Sequence, residues 1–340
     1  MAPQYTTQVT ITAGAVVMVT AFGYYLYRRA RNRMPQKWDP IGTVTEMYMY
    51  PLKSGRRIEI QKAKCTGKGF QSTDPNLAHF RDRCLVIYQE DTNEVKSAKN
   101  YPKILLIEAG MVDDNHFCLT TSDVGSVIFK VPELTAKRRN IRMYKTEILL
   151  TVDCGDEVAE WVSNYILNEP NGLRLGFHDG THDRDLEKYY PNELKVYPKV
   201  DNSSTGLYSD MVPLHLLTKS SVKDLQSRIP NSNVTTNNFR PNIVIDGENI
   251  IPYAEDNWDW IKIGDIVTRN VMLCPRCALT TINPETATFS KDYEPITTMK
   301  KYRSTIRFQS EPPSPNMGVY ARVYNVGEIR VGDTVYIGRN

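Results

Sequence analysis

The sequence predicts an α+β, β-rich protein of two lobes behind an N-terminal transmembrane helix. Three observations carry this reading. Short apolar runs rich in Val, Ile and Tyr recur between turn residues along most of the chain. Only two segments show clear helical spacing of apolar residues. One long uncharged stretch, Val9–Tyr27, stands alone at the N-terminus.

That stretch, "VTITAGAVVMVTAFGYYLY", has nineteen residues. As a helix it spans roughly 28 Å, close to one hydrocarbon core. Tyr24, Tyr25 and Tyr27 fall where an interfacial belt would lie, and Arg28, Arg29, Arg31 and Arg33 follow. No Lys or Arg precedes it. This asymmetry predicts a retained signal anchor with the C-terminal bulk in the cytosol; a cleaved leader would carry its positive charge first. Such a span suits a thin membrane, the endoplasmic reticulum or the mitochondrial outer membrane.

The remaining organisation follows in order. Residues 1–33 are the anchor with its basic flank, and 34–40 a linker. A first β-barrel-like lobe covers 41–178 and a second, mixed β-barrel lobe covers 179–340. In the first lobe "IGTVTEMYMYP", "RCLVIYQ" (Arg83–Gln89), "ILLIE" (Ile104–Glu108), "VGSVIFKVP" and "EILLTV" read as strands. Asp153 is the expected N-cap of a helix with Val158, Trp161, Val162, Tyr165 and Ile166 on one face. Asn168–Tyr197 is polar and reads as a connection between lobes. In the second lobe a helix is expected over Ser220–Arg228, capped by Thr218 and stopped by Pro230. "NIVIDG", "WIKIGDIVTRNVML" and "GEIRVGDTVYIG" read as strands, with Gly264-Asp265 and Gly332-Asp333 turning two related hairpins.

Composition excludes some functions. With 42 Lys+Arg against 39 Asp+Glu the net charge is +3, too balanced for a nucleic-acid binder. Six cysteines without framework spacing read as reduced thiols facing the cytosol. No G-x-G-x-x-G follows a strand and no C-x-x-C-H occurs, so neither flavin nor haem is expected on this chain.

The chemistry centres on "LCPRCALTTINPET", where Cys274 and Cys277 flank Pro275-Arg276. A structural zinc needs four ligands; no second C-x-x-C exists, and His178 and His182 lie about a hundred residues away. A redox dithiol needs a helix after its first cysteine, whereas "ALTTINPET" is β-branched and broken by Pro284. Two inert buried thiols are the plain alternative. The last reading is one thiolate held for a soft, high-valent metal, with Arg276 beside it for an anionic ligand. Lys53 and Ser54 in "YPLKSG", Arg81 and Arg83 in "FRDRC", and Arg240 and Asn242 in "NNFRPNIVI" would complete a cationic cradle for a phosphorylated cofactor.

The fragments "YPLKS" (50–54), "RDR" (81–83), "YSD" (208–210), "NFRPNIVI" (238–245), "YAEDNWD" (253–259), "CPRCALTTINP" (274–284) and "VGDTVY" (331–336), in this order, resemble the MOSC family. The likeness is to its membrane-anchored branch, the mitochondrial amidoxime reducing components, and runs from about Ile41 to the C-terminus. It implies two MOSC-type lobes and a molybdenum cofactor, a pyranopterin dithiolene carrying a phosphate. It implies Cys277 as metal ligand and catalytic residue, with Asp210 a polar catalytic group near the metal. Lys53, Ser54, Arg83, Arg240, Asn242 and Arg276 would be cofactor contacts. Two departures from the family pattern are Asn283, where relatives often carry an acid, and Met211-Val212, where they often carry Thr or Ser.

The resemblance further implies reduction of amidoximes, hydroxylamines and hydroxamic acids, molybdenum cycling between +6 and +4. Electrons would come from NADH through a b5-type cytochrome and its reductase, at the mitochondrial outer membrane. The resemblance also allows a sulfur carrier using Cys277, since MOSC domains occur in sulfurases, and the basic cradle by itself fits a non-enzymatic membrane-tethered module binding anionic headgroups. A monomer is the default expectation.

Overall fold

A computed structural model describes residues 33–133, 135–144, 146–305 and 313–339. The expected anchor at Val9–Tyr27 lies outside the described residues. Among those described, no helix is long and apolar enough to cross a membrane.

Order in the chain is not order in space. The strand Lys37–Met49 runs antiparallel between Ile243–Asp246 and Thr334–Arg339. It starts within the stretch expected to be linker and completes the second lobe, not the first. Its Val44, Met47 and Met49 share one core with Ile243, Ile245 and Val335. Alternation shows that a strand buries one face, but not which sheet receives it. From there the ladder continues through Trp260–Ile263, Ile266–Pro275 and Ser314–Asn325 to Leu214–Thr218. Leu214–Thr218 pairs parallel with Ile243–Asp246, so seven strands close into a mixed barrel. A parallel pair needs a long crossover. The helix Lys219–Ser227 lies in it, its first turn capped by Thr218 Oγ1, which accepts from Ser221 N at 3.3 Å.

The first lobe holds a five-stranded antiparallel sheet: Arg138–Met143, Glu147–Asp153, Leu173–Phe177, Leu85–Gln89 and Val95–Lys96. A three-stranded sheet, Glu108–Asp113, His116–Thr121 and Gly125–Lys130, packs with it. The helix Asp156–Leu167 closes the core with Val158, Val162, Tyr165 and Ile166.

Several expectations are corrected here. The helix is capped by Gly155 at φ 100°; Asp153 instead accepts from Gly155 N and grips Arg174 at 2.6 and 2.7 Å. "ILLIE" is divided: Ile104–Leu106 end a 3-10 turn, Pro102–Leu106, and Glu108 begins the strand Glu108–Asp113, because a short apolar run carries no distinguishing period. The polar connection contains the strand Leu173–Phe177, second neighbour of both sheet ends. Its Arg174 is buried against Asp153, and a side chain at Gly176 would collide with Thr151, so polarity and a glycine mask a core strand. Gly264 does turn a hairpin, but Gly332 passes the chain from one sheet to another: Gly327–Arg330 pairs with Lys62–Thr66, and Thr334–Arg339 with the barrel.

Candidate active site between two cores

The Cys274–Cys277 loop is held by both lobes. Cys274 ends a barrel strand and is buried with Val271, Met272 and Tyr320. Past Cys277 a short 3-10 turn, Ala278–Thr281, leads to Ile282, which enters the core of the first lobe. Cys277 caps that turn and is exposed. Thr280 N and Oγ1 both donate to its carbonyl, at 3.1 and 3.0 Å. The two cysteines therefore differ in kind, one packed and one open.

Cys277 opens on a cavity of about 700 Å³. Eight residues singled out from the sequence line it: Lys53, Ser54, Arg83, Asp210, Arg240, Asn242, Arg276 and Cys277. Arg81, expected in the same cradle, does not; its Nε donates to the Ala78 carbonyl at 3.1 Å. Ser54, Arg83 and Arg240 adopt left-handed backbone at φ 63°, 50° and 52°. Each such non-glycine residue costs about 1–2 kcal/mol, a cost that concentrates at functional sites.

The donors divide into two groups. Lys53 Nζ spends its three N–H bonds inside the protein, on Asp210 Oδ1 at 2.7 Å, the Tyr208 carbonyl at 2.8 Å and Tyr144 Oη at 3.3 Å. Asn242 Oδ1 accepts from Arg83 Nη1 at 3.0 Å and His215 N at 3.2 Å, while its Nδ2 donates to the Tyr48 carbonyl. Arg83 also pairs with Asp82. In contrast, Arg240 Nη2 and Arg276 Nε are buried without a hydrogen-bond partner among the described residues. Arg276 is aimed by Cys274 Sγ at 2.6 Å and the Phe239 carbonyl at 2.8 Å. The guanidinium groups of Arg240 and Arg83 lie 4.2 and 4.6 Å from the ring of Tyr50, itself fully buried.

These contacts set the charges. Burial pushes Arg240 down to about 10, so it remains a cation at neutral pH. Burial works against Arg83 too, but Asp82 holds it above its ordinary value. Burial depresses Lys53 despite Asp210. For Asp210 burial works upward, yet Lys53 and Tyr144 hold its carboxyl well below the usual range. His215, on the same wall, is pushed down to about 3 by burial and by Arg276, and stays neutral. The cavity thus carries an excess of fixed positive charge with free donors, the surroundings a phosphate or other anion requires.

Other expected pieces lie elsewhere. His178 and His182 group with Asp179 rather than with either cysteine, which removes the geometry for a Cys2His2 zinc site. Asn283 does not line the cavity; its Oδ1 folds the following turn by accepting from Glu285 N and Thr286 N. The "YAEDNWD" acids are structural: Glu255 bonds Thr218 and Ser221, Asp256 pairs with Arg303, and Asp259 with Arg269. Tyr144, His215 and Tyr320 line the cavity without having been singled out. Tyr50 lies inside a quoted motif, so its aromatic ring beside two arginines was a usable signal.

A family model described as the MOSC domain matches residues 204–336, and one described as the MOSC N-terminal beta barrel domain matches 41–169. The chain belongs to the MOSC-domain family. The chain is 31% identical to mitochondrial amidoxime reducing component 2 of Macaca fascicularis, over 93% of this chain and 89% of the relative. It is 33% identical to mitochondrial amidoxime-reducing component 1 of Homo sapiens, with the same two coverages, and 33% to that of Mus musculus, over 93% and 88%. MOSC membership, with these relatives, implies a molybdenum cofactor. The orphaned guanidinium nitrogens of Arg240 and Arg276, beside an open thiol, fit a group with a phosphate and a soft metal.

Proposed function

We propose that this chain is a molybdenum-cofactor oxidoreductase that reduces N-hydroxylated compounds, anchored in the mitochondrial outer membrane and facing the cytosol. The observation that carries the reading is the exposed Cys277 on one cavity wall with Arg240 and Arg276, each of which keeps a buried nitrogen without a hydrogen-bond partner among the described residues. The naming of the relatives as mitochondrial amidoxime reducing components supports both the reaction and the compartment.

In this reading Cys277 is the thiolate ligand, and Arg240, Arg276 and Ser54 hold the phosphate-bearing pterin. Arg83, Asn242 and Lys53 shape the cradle through the bonds described above. When bound, the cofactor supplies two-electron redox chemistry at molybdenum. The N–O bond of an amidoxime, hydroxylamine or hydroxamic acid is cleaved with two electrons and two protons, releasing water and the N–H compound. Asp210, open to the cavity with its side chain 55% exposed, is placed to orient the N–OH group. A b5-type cytochrome and its NADH-dependent reductase deliver the electrons, concentrated near the enzyme by a shared membrane.

The test is metal analysis of the full chain made in a cofactor-synthesising host, beside Cys277→Ala. The expected result is near one molybdenum per chain, and amidoxime reduction with NADH, cytochrome and reductase that the variant lacks. Folded wild type without molybdenum overturns the proposal. A persulfide on Cys277 would then point to sulfur transfer, and lipid binding indifferent to Cys277→Ala to a tethering module.

A further inference from the structure

Outside the cofactor cradle, one fully buried ion pair has no evident stability role. Arg184 and Glu147 have no side-chain exposure at all. Their contact is bidentate: Nε to Oε1 at 2.7 Å and Nη2 to Oε2 at 2.8 Å. Tyr190 Oη donates to the same carboxylate at 2.8 Å. Burying two charges gains little stability over an apolar pair of similar size, because desolvation offsets attraction. The geometry around the pair gives it a different use.

Two further N–H groups of Arg184 go to the loop that carries Asp210. Nη1 donates to the Ser209 carbonyl at 2.6 Å and Nη2 to the Asp210 carbonyl at 2.9 Å. Glu147, for its part, follows the hairpin turn of the first lobe whose other side carries Tyr144. Tyr144 Oη donates to the Asp210 carboxylate, at the cavity wall. The contacts close a ring: Asp210 to Tyr144, through the hairpin to Glu147, to Arg184, and back to the Asp210 backbone. Tyr144 and Glu147 sit in the first lobe, Asp210 in the second, and Arg184 in the connection between them.

We propose that Glu147–Arg184 is a positioning pair that fixes Asp210 and Tyr144 relative to each other, making Tyr144 a substrate-orienting residue of the N-hydroxy reductase site. The inference rests on the reading of this cavity as the reaction site. Arg184 touches no reacting atom in it. It acts by holding two carbonyls and one carboxylate in a fork that lysine, with a single nitrogen, does not reproduce. Misplacement of a site group by about 1 Å costs up to about a hundredfold in rate.

The experiment is a double-mutant cycle on the full-length enzyme with Arg184→Lys and Tyr144→Phe, rates normalised to bound molybdenum. Each single variant is expected to lower kcat/KM by about tenfold or more, and the double variant to lose little beyond the larger single loss. Hydrogen exchange supplies a readout independent of cofactor: amides of Met143, Tyr144, Glu147 and 209–212 speed up in Arg184→Lys while the barrel strands do not. If Arg184→Lys does not fold, Glu147→Gln replaces it in the same cycle. Wild-type kcat/KM per molybdenum in the Arg184 or Glu147 variant, or additive losses, would overturn the proposal. A wild type without molybdenum but with the expected exchange pattern would overturn the proposed reaction and leave the ring standing.

Discussion

Arg276 Nη1 donates to the sulfur of Cys274 at 2.6 Å, so the first cysteine of the pair aims the arginine between them. Burial pushes the Cys274 thiol up and Arg276 works against that shift, leaving a buried sulfur whose use is as acceptor. Cys274→Ala strands a buried guanidinium donor and is expected to cost about 1–3 kcal/mol. Cys274→Ser keeps an acceptor and retains most stability and molybdenum loading. Thermal melts and metal content of the two variants decide it; equal behaviour of Ala and Ser would refute the aiming role.

Tyr50 offers its ring to two arginines at once. Each cation–π contact is worth about 0.5–2 kcal/mol in a desolvated setting. Tyr50→Phe keeps both contacts and loses only the bond from Oη to the Pro241 carbonyl. It should load molybdenum as wild type does. Tyr50→Leu should reduce loading several-fold in the same expression host, measured as metal per folded chain.

Acid stability follows from two carboxylates outside the cavity. Burial pushes Asp153 and Asp179 up, but hydrogen bonds and Arg174 and Arg138, respectively, bring each down to about 2. A folded value below the unfolded one gives stability that is full above the unfolded pKa and lost as pH falls through the folded one. The loss therefore runs from about pH 4 to pH 2, on the order of 2 kcal/mol per group. The melting temperature should fall across that window. Asp153→Asn should melt lower at neutral pH and show a shallower acid fall; an unchanged profile would contradict the assignment.

Glu255 tests whether its motif is structural. Its carboxylate accepts from Thr218 Oγ1 at 2.9 Å and Ser221 Oγ at 2.7 Å, at the start of the crossover helix. Glu255→Ala should destabilise by about 2–3 kcal/mol through unpaired buried hydroxyls. Activity per bound molybdenum should stay within about twofold, since Glu255 does not line the cavity. A selective loss of kcat with normal stability would move the motif into the site.

Much of the site could be read from one dimension. Lys53, Arg83, Arg240 and Cys277 carry charge or sulfur next to prolines, glycines or strand ends, where side chains are free to serve chemistry. The helix at Thr218 declared itself by its cap and its 3.6 period. Tyr144 did not, because a tyrosine at a hairpin tip has no local mark of what it will face. The strand Leu173–Phe177 was hidden by Arg174 and Gly176, whose fit depends on Asp153 and Thr151 from another strand.

The sequence by itself determined the β-rich class and the candidate cavity residues and narrowed the cysteine loop to a few readings, because periodicity, caps and reactive side chains are properties of neighbours in the chain. Tertiary structure alone decided that Lys37–Met49 completes the distant barrel and that Cys274 is packed while Cys277 is open. It also decided which donors are spent and which remain free, and that Arg184 and Glu147 tie Asp210 to Tyr144. Strand pairing, burial of a charge and satisfaction of a donor depend on atoms far away in sequence, which no local pattern records.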